Sequence, residues 1–306
     1  MGPTNNRGDV VDVDEMVKFA SEVLNKRKNI VIDEWKELTY SQLLQLGTSA
    51  GGARAKAIIA WNEQSNEIRS GQIEAGDGFD YWLIKFDGVG KNGDHNLEDS
   101  VEYTHYQMAI DAGIEMSECR ILPENGRNHF MTKRFDRVDG KKVHMQTLSA
   151  IGHIDYNIPG LCSYEQAAMY MDEMRLGVNE IEKLFRRMVF NVIAVNQDDH
   201  VKNISFLMDR KGTWRLAPAY DLTFAYSPEN KWLKAHQMRI NQKTENITRE
   251  DIITSGINMG IKKTRINAII DKVTDAIGKW QQFAEKSGIR EETYEIISDI
   301  MHRNSI

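Results

Sequence analysis

The sequence turns sharply polar at Asn196-Gln197-Asp198-Asp199-His200-Val201-Lys202-Asn203, directly after a broad apolar stripe. The stripe consists of apolar residues at helical spacing, which are Ile181, Leu184, Phe185, Met188, Val189, Val192 and Ile193. This pattern predicts a buried helix that carries the polar stretch at its end. The stripe alone leaves open whether these polar residues only cap the helix and face solvent or take part in chemistry.

Two acidic residues and an amide in this part of the chain have an informative spacing. Asp198 precedes Asn203 by five positions, as in a kinase catalytic loop, and Asp221 follows the next predicted strand. Phosphoryl transfer needs a carboxylate that accepts the hydroxyl proton and oxygen ligands for Mg²⁺. Asp198 would fill the first role, and Asn203 with Asp221 the second. Asp199 also lies beside His200, so the motif leaves open which of the two aspartates is the base. His200 is interpreted as a structural histidine, because the chain has no H-E-x-x-H motif and no cysteine pair for zinc.

A loop of small residues from Gly47 to Lys56 is a second candidate site. Small residues let backbone N–H groups approach phosphate oxygens closely, so a loop of this kind is able to cradle a nucleotide. It matches neither the dinucleotide fingerprint nor the Walker pattern. Taken by itself, the loop is more typical of a simple connection.

A third candidate is Lys85, in the strand predicted over Tyr81–Phe86. Strand alternation places Lys85 on the face of Tyr81 and opposite Ile84. A lysine among apolar neighbours either lies on an edge strand and reaches solvent, or holds an anion such as a nucleotide phosphate. In the second interpretation a helix carboxylate orients the lysine, and Glu102 is the best-placed candidate.

Length and composition describe a globular chain with a sizeable core. Of its 306 residues, 41% are hydrophobic and 27% charged, and the formal charge is −6, which excludes a global basic field for nucleic acid. No window approaches the run of about 18 apolar residues that a membrane helix needs, and the start has no apolar stretch for a signal peptide. Two cysteines, Cys119 and Cys162, fit a reducing compartment. We therefore expect a cytoplasmic protein.

The order of predicted elements indicates an α+β chain with two lobes. The first third mixes short strands with helices, and helical patterns dominate the second half. The composition changes near residues 136–140, so we predict one lobe over 1–137 and a second over 138–306. Predicted elements include helices over Val13–Leu24, Leu38–Leu46 and Val101–Ala112 and strands over Tyr81–Phe86, His129–Phe135, Ile204–Met208 and Trp214–Leu216.

Taken together, the motifs resemble the HipA family, the serine/threonine kinase toxins of bacterial HipBA-type toxin–antitoxin modules. The resemblance runs from about residue 40 to beyond 225 and rests on five segments in a matching order. These are Gly51-Gly52-Ala53-Arg54-Ala55-Lys56-Ala57, Lys85, Lys133-Arg134-Phe135-Asp136-Arg137, Asp198-Asp199-His200-Val201-Lys202-Asn203 and Tyr220-Asp221. The implied fold is two-lobed and protein-kinase-like, similar also to phosphatidylinositol kinases, with a mixed α/β N-lobe and a mainly α-helical C-lobe.

The resemblance also implies a role for each matching residue. The N-lobe would carry the phosphate-binding loop and the ATP lysine, and the C-lobe the catalytic and Mg²⁺-binding residues. The implied ATP-binding set is Ser49, Ala50, Gly51, Gly52, Ala53, Lys85, Glu102, Lys133, Phe135 and Asp136. The implied catalytic set is Asp198, Asn203, Lys202 and His200, with Asp198 as the base. Mg²⁺ would bind Asn203 and Asp221, and Ser49 is the implied site of autophosphorylation.

The activity implied by the resemblance is that of an ATP- and Mg²⁺-dependent protein serine/threonine kinase that acts as a toxin. Its expected substrate is an aminoacyl-tRNA synthetase or another translation component, and its expected partner is a HipB-like helix-turn-helix antitoxin. Family members carry a small N-terminal subdomain before the segment that starts near Val10 here. We therefore expect either a shortened chain or a split member whose missing piece is a separate polypeptide.

The chain departs from the family pattern at two positions. Asp199 stands where relatives more often have glycine, and it adds negative charge near the metals. Lys133 is often glutamate in relatives, although backbone contacts to adenine would survive that change. Two alternatives stay open at this stage: an inactive kinase fold that serves as the partner of a DNA-binding antitoxin, and a small-molecule phosphotransferase.

Overall fold

The computed structural model describes residues 10–25, 55–71, 74–87, 89, 98–138, 140–304 and 306. Contacts divide the chain into two compact units. The first consists of Met1–Ser100 and Glu118–Lys142, and the second of Val101–Ser117 and Val143–Ile306. Within the described ranges, no helix is long and apolar enough to cross a membrane.

Among the residues that the structure describes, the first unit contains helix α1 (Val13–Asn25) and a five-stranded antiparallel sheet. The sheet strands are β1 (Lys56–Asn62), β2 (Glu67–Ser70), β3 (Asp80–Lys85), β4 (Cys119–Glu124) and β5 (Arg127–Lys133). The strand order is β2-β1-β3-β5-β4. A short ladder of β6 (Arg137–Val138) and β7 (Lys141–Lys142) ends the unit.

The core of this unit forms where helix α1 packs on one face of the sheet. Trp82 and Ile84 of β3 are buried with Met16 and Val17 of α1, as their alternation along the strand predicts. Helix α1 begins after Asp12, whose side chain accepts a hydrogen bond from the backbone N–H of Glu15. The predicted helix over 13–24 is therefore confirmed. The predicted helix over 38–46 and residues 47–54 of the small-residue loop lie outside the described residues.

Strand β3 is the middle strand of the sheet, with β1 on one side and β5 on the other. Lys85 pairs with Lys56 across one ladder and with Phe130 across the other, and it is only 8% exposed. The interpretation of Lys85 as an edge-strand lysine that reaches solvent is therefore wrong. Alternation predicts which face a residue occupies, but the order of strands in a sheet depends on pairing between distant segments.

The second unit is mainly helical. Its helices are α2 (Glu98–Asp111, of which residues from Val101 belong to this unit), α3 (Leu148–Ile151), α4 (Tyr164–Glu173), α5 (Val178–Ile193), α6 (Arg249–Asn258), α7 (Lys263–Ile277), α8 (Trp280–Lys286) and α9 (Glu291–Arg303). A three-stranded antiparallel sheet has the order β10-β9-β8, with β8 at His144–Thr147, β9 at Ser205–Met208 and β10 at Trp214–Leu216. With the first unit, this gives the predicted α+β class with one mixed and one mainly helical part.

Helix α5 lies at the centre of the second unit. The apolar stripe that predicts it is buried among residues of α2, α4, α6 and α7. Helix α4 begins with a capping box, in which Ser163 and Gln166 exchange hydrogen bonds. Strands β9 and β10 also form where the sequence predicts them.

The division of the chain differs from the predicted boundary after residue 137. The first unit ends at Lys142, and residues 101–117 belong to the second unit although we predicted them in the first lobe. The reason is packing: the ring of His105 on α2 lies 6.4 Å from Phe190 and 5.6 Å from Trp280. The assignment of nucleotide binding to one lobe and catalysis to the other stays a prediction.

Candidate active site

The polar stretch leaves helix α5 through a strained backbone. Val195 has a φ of +54°, a left-handed conformation that β-branched residues rarely adopt. The following residues are held by a distant segment, since Gln197 N donates to Ala225 O at 2.9 Å and Ala225 N donates to Val195 O at 3.1 Å. Strain of this kind persists only where surrounding contacts impose it, and it is concentrated at functional sites.

Asp198 and Asn203 belong to one tight loop. Nδ2 of Asn203 donates to the main-chain carbonyl of Asp198 at 2.9 Å, and Asn203 N donates to His200 O at 2.8 Å. Because the amide nitrogen is used inside the loop, the side-chain oxygen of Asn203 is the atom suited to bind a metal. The side chain of Asp198 is 45% exposed, and its Oδ1 lies 3.8 Å from Nε2 of His200. The loop thus presents the Asp198 carboxylate at the surface.

Asp199 points in the opposite direction, into the second unit. Its buried carboxylate accepts hydrogen bonds from Tyr164 Oη at 2.9 Å, His236 Nδ1 at 3.0 Å and Gln237 N at 2.7 Å. Burial, together with the charge of Asp199, raises the pKa of Tyr164 well above its usual value, so this hydroxyl stays a donor. A carboxylate held in this way anchors the loop and is not placed to accept a proton from a substrate.

The segment that carries Asp221 is tied to the same loop. The Tyr220 hydroxyl donates to Lys202 O at 2.6 Å and contacts Ser205 Oγ. Asp221 has a φ of +52°, and its carbonyl accepts from Nδ2 of Asn196 at 3.4 Å. Asn203 and Asp221 line the same small cavity. The structure therefore brings together the amide and the carboxylate that the sequence nominates as metal ligands.

The chemistry of this donor pair fits Mg²⁺. The amide oxygen of Asn203 and the carboxylate of Asp221 are hard oxygen ligands, and Mg²⁺ is usually held by one or two carboxylates, with water and substrate phosphates as its other ligands. Within the described part of the chain, no three His, Cys, Asp or Glu side chains form a group able to hold a metal by themselves. Asn203 and Asp221 therefore suit a site in which phosphate groups provide further ligands of the metal.

The candidate nucleotide residues of the first unit lie on strands β3 and β5 and directly after β5, and in this ladder Lys85 pairs with Phe130 and Lys133 with Trp82. Lys85 Nζ lies 5.6 Å from the centre of the Phe130 ring. Lys133, at the end of β5, forms an ion pair with Asp80 at 2.6 Å, so its side chain is engaged on the sheet surface. Phe135 follows two residues later and is half-buried.

Asp136 is held by its arginine neighbours. Arg134 donates to both of its carboxylate oxygens, and Arg137 donates to one of them. Although burial opposes it, these guanidinium groups lower the pKa of Asp136. Its carboxylate therefore fixes the backbone of the predicted hinge.

Two parts of the predicted nucleotide site stay predictions. Glu102 is buried on α2 and belongs to the second unit, whereas Lys85 belongs to the first. The loop residues Ser49, Ala50, Gly51, Gly52 and Ala53 lie outside the described residues.

The sequence did not predict a partly exposed apolar surface beside residues 198–203, the candidate catalytic loop. Tyr156, Ile158 and Leu161 are between 41% and 52% exposed, and all three line a shallow pocket whose wall includes His200 and Val201. The loop that carries them is fixed, because Gly160 N donates to Gln237 O and Ser149 Oγ donates to Ile154 O. The only signal in the sequence is the Pro159-Gly160 pair between apolar residues, which predicts a turn and nothing more.

Lys202 lies at the edge of this surface. Its Nζ is 4.0 Å from the centre of the Tyr156 ring, and the His200 ring is 6.2 Å from the same ring. A cation this close to an aromatic face is attracted by the ring quadrupole. Lys202 and His200 therefore join the catalytic loop to the apolar surface, and neither of them is hydrogen-bonded to the Asn203 side chain in the described structure.

The family comparison covers most of the chain. The family model for the HipA-like C-terminal domain matches residues 48–302. A protein of Haemophilus influenzae named "Putative kinase" is 26% identical over an alignment of 230 residues, and the match covers 63% of this chain and 66% of that protein. "Putative kinase Y4mE" of Sinorhizobium fredii is 23% identical over an alignment of 188 residues, and the match covers 56% of this chain and 44% of that protein. The chain thus spans about half to two thirds of the curated relatives it matches.

The comparison with solved structures agrees with the family match. The HipA chain of a toxin–antitoxin complex of Shewanella oneidensis MR-1, solved with HipB and operator DNA, matches with a TM-score of 0.68. The match covers 99% of this chain and 71% of that chain at 14% identity. At this identity the match establishes the fold alone.

Proposed function

The chain belongs to the HipA-like C-terminal domain family, and on that premise we propose that it is an ATP- and Mg²⁺-dependent protein serine/threonine kinase. The observation that carries the proposal is the joint placement of Asp198, Asn203 and Asp221. One carboxylate is exposed on a loop held by Asn203, and a second one lines a cavity with that same asparagine. Phosphoryl transfer requires this combination of a hydroxyl-orienting carboxylate and oxygen ligands for the metal.

In the proposed mechanism, Asp198 orients a serine or threonine hydroxyl and accepts its proton as the hydroxyl oxygen bonds to the γ-phosphorus of ATP. The bond from that phosphorus to the bridging oxygen breaks, and ADP leaves. Asn203 and Asp221 would hold Mg²⁺, which would neutralise charge on the phosphates when bound. Lys85 would bind the phosphates, and residues 133–136 would contact the adenine and ribose. Positioning and charge neutralisation, rather than covalent catalysis, supply the rate enhancement.

A protein substrate is favoured over a small molecule by the surface beside the catalytic loop. Exposed apolar side chains on a fixed loop mark surfaces that bind other proteins. Here Tyr156, Ile158 and Leu161 lie on such a loop, and its pocket shares His200 with the catalytic loop. Asp198 Oδ1 lies 3.8 Å from His200 Nε2, and the His200 ring centre lies 6.2 Å from that of Tyr156, so about four extended residues are long enough to connect Asp198 with Tyr156. A peptide with its hydroxyl at Asp198 therefore reaches this surface.

The buried state of Asp199 favours an active kinase over an inactive fold. The sequence alone suggests that Asp199 adds charge beside the metals, but its carboxylate accepts three hydrogen bonds inside the second unit. Those donors stabilise the charge locally. The departure from the usual glycine is thus compatible with catalysis.

The biological setting belongs to the same proposal. We infer a role as the toxin of a HipBA-like module, with a HipB-like helix-turn-helix antitoxin as partner and an aminoacyl-tRNA synthetase or another translation component as substrate. The family and the fold of the HipA chain in the Shewanella complex support it. Autophosphorylation of Ser49 is a further part of the proposal.

Transfer of the γ-phosphate tests the activity. Purified chain is incubated with labelled ATP and a bacterial lysate, in Mg²⁺ or in EDTA, beside Asp198→Asn. We expect Mg²⁺-dependent label on serine or threonine of a small number of proteins, including the chain itself, and none with the variant. Phosphoproteomics of cells that express the two forms identifies the substrate. Label on a small molecule but on no protein would favour the phosphotransferase alternative, and an absence of label would favour the inactive fold.

A further inference from the structure

A buried arginine lies behind the proposed metal ligands. Arg187 of helix α5 is only 4% exposed, and its Nη2 donates to the main-chain carbonyl of Ala217 at 2.6 Å. Its Nε and Nη1 have no hydrogen-bond partner among the described residues. Burial lowers the pKa of Arg187 to about 10, so the group remains a cation at neutral pH. A buried cation with two unsatisfied donors is strongly unfavourable unless something else satisfies them.

A cavity of about 20 Å³ adjoins this guanidinium. Its lining includes the polar residues Asn191, Asn196, Asn203 and Asp221 as well as apolar ones. Asn196 is 1% exposed, and its Oδ1 also lacks a partner within the described structure. The cavity is large enough for one water molecule, and buried waters typically make about three hydrogen bonds to groups of this kind. Water is suited to the site because it accepts from the arginine and donates to the amide oxygen.

Side chains that line the cavity hold both ends of the segment 217–221 by hydrogen bonds. The direct hydrogen bond from Arg187 holds the carbonyl of Ala217. At the other end, Nδ2 of Asn196 donates to Asn191 Oδ1 at 3.0 Å and to the carbonyl of Asp221 at 3.4 Å. Asp221 has a positive φ, a conformation that depends on contacts of this kind. Metal ligands keep their orientation through such supporting hydrogen bonds.

We propose that one ordered water in this cavity is bound by Arg187 and Asn196, and that Arg187 thereby acts as a positioning residue for Asp221. The water site stands on its own, whereas the positioning role rests on the proposed function, in which Asp221 binds Mg²⁺. Arg187 itself contacts neither the nucleotide nor the reacting atoms in this proposal.

The water is tested by a high-resolution crystal structure of the full chain. We expect a well-ordered water within hydrogen-bond distance of Arg187 Nε or Nη1 and of Asn196 Oδ1. A dry cavity, or a side chain that fills it, would overturn the water site.

The positioning role is tested by metal binding rather than by turnover. Mn²⁺ is titrated into the chain with a non-hydrolysable ATP analogue and followed by electron paramagnetic resonance. We expect Arg187→Met to weaken Mn²⁺ binding by roughly 10-fold, the usual effect of losing a residue that supports a metal ligand. Arg187→Lys is expected to weaken Mn²⁺ binding less than Arg187→Met does, because lysine keeps the positive charge and a donor nitrogen. Arg186→Met is the matched control, since Arg186 is the adjacent arginine and also donates to a backbone carbonyl, that of Ala112 at 2.9 Å.

A double-mutant cycle separates a positioning role from general destabilisation. If the water joins the two side chains, Arg187→Met and Asn196→Ala affect Mn²⁺ affinity non-additively. Additive effects, or a loss of thermal stability with unchanged Mn²⁺ affinity, would contradict the positioning role. If the unmodified chain binds no Mn²⁺ with the analogue, the proposed function fails and takes the positioning role with it, while the crystallographic test of the water still stands.

Discussion

The side-chain nitrogen of Asn203 is hydrogen-bonded to the main-chain carbonyl of Asp198 at 2.9 Å. This one contact closes the loop and fixes the flip of the Asn203 amide, so that its oxygen remains for the metal. It also means that Asp198 and Asn203, the proposed base and one proposed metal ligand, do not move independently. The strained Val195 that precedes them and the buried Asp199 hold the loop from the other side. These contacts within the second unit therefore pre-organise the loop that carries Asp198 and Asn203.

The first prediction concerns the base. We expect Asp198→Asn to reduce phosphoryl transfer by at least ~100-fold, because general base catalysis typically contributes 10²–10⁴-fold. Binding of an ATP analogue and thermal stability change little, since this side chain is half exposed. The measurements are single-turnover transfer and calorimetric titration with the analogue. Asp172→Asn, an exposed aspartate of α4, is the control. Normal transfer by Asp198→Asn would remove Asp198 from the mechanism.

The second prediction concerns Asp199. One oxygen of Asp199 accepts from Tyr164 and His236, and the other accepts from Gln237 N. In Asp199→Asn an NH₂ group replaces one of these oxygens, so at least one buried donor loses its acceptor. We expect the free energy of unfolding to fall by about 2–3 kcal/mol. Urea denaturation measures this. An unchanged stability, combined with lost transfer, would instead identify Asp199 as the base.

The contrast between Asp198 and Asp199 shows which features of the site the sequence can predict and which it cannot. Spacing nominates Asp198, Asn203 and Asp221, because a short loop and the following hairpin are local features. The burial of Asp199 depends on Tyr164 and His236, which lie 35 and 37 residues away in the sequence. No local pattern predicts those contacts. The buried place of Lys85 on a middle strand has the same origin, since strand order is set by non-local pairing.

The third prediction concerns the metal. Asp221→Asn removes the carboxylate of the proposed Mg²⁺ pair but keeps the size of the side chain. We expect the Mg²⁺ concentration for half-maximal ATP binding to rise roughly 10-fold or more, because Mg²⁺ strongly prefers charged oxygen ligands. A nucleotide titration at several Mg²⁺ concentrations measures it. Unchanged Mg²⁺ dependence would mean that Asp221 does not bind the metal.

The fourth prediction concerns pH and His105. Its Nδ1 donates to Val101 O at 2.8 Å, and burial lowers its pKa from 6.5 to about 4. The unfolded chain binds a proton below about pH 6.5 and the folded chain only below about pH 4. Stability is therefore complete above pH 6.5 and is lost as pH falls from 6.5 towards 4, by up to about 3 kcal/mol.

Urea denaturation between pH 7.5 and pH 4.5 checks this dependence. His105→Phe keeps an aromatic ring beside Phe190 and Trp280 and is expected to flatten the profile in this range. His144→Phe, at an exposed position, should keep the profile of the parent chain. Equal slopes in all three proteins would show that His105 is not the group responsible.

The last prediction concerns the apolar surface beside the catalytic loop. Leu161 is 45% exposed and lines the pocket that includes His200 and Val201. If a protein substrate docks there, Leu161→Asp places a charge against its apolar side chain and leaves the catalytic loop intact. We expect the rate of protein phosphorylation at low substrate concentration to fall about 10-fold, which corresponds to about 1.4 kcal/mol of lost binding. ATP binding should be unchanged.

The control is Ile257→Asp, which places the same charge at a similarly exposed apolar residue, 51% exposed on helix α6. This variant should phosphorylate the substrate like the parent chain. The substrate identified by phosphoproteomics, or its phosphorylated segment as a peptide, serves for both assays. The loss in Leu161→Asp should appear as a raised KM with a nearly unchanged kcat, because docking contributes equally to the bound substrate and the transition state. A lowered kcat with an unchanged KM would place Leu161 in the support of Asp198 rather than in docking.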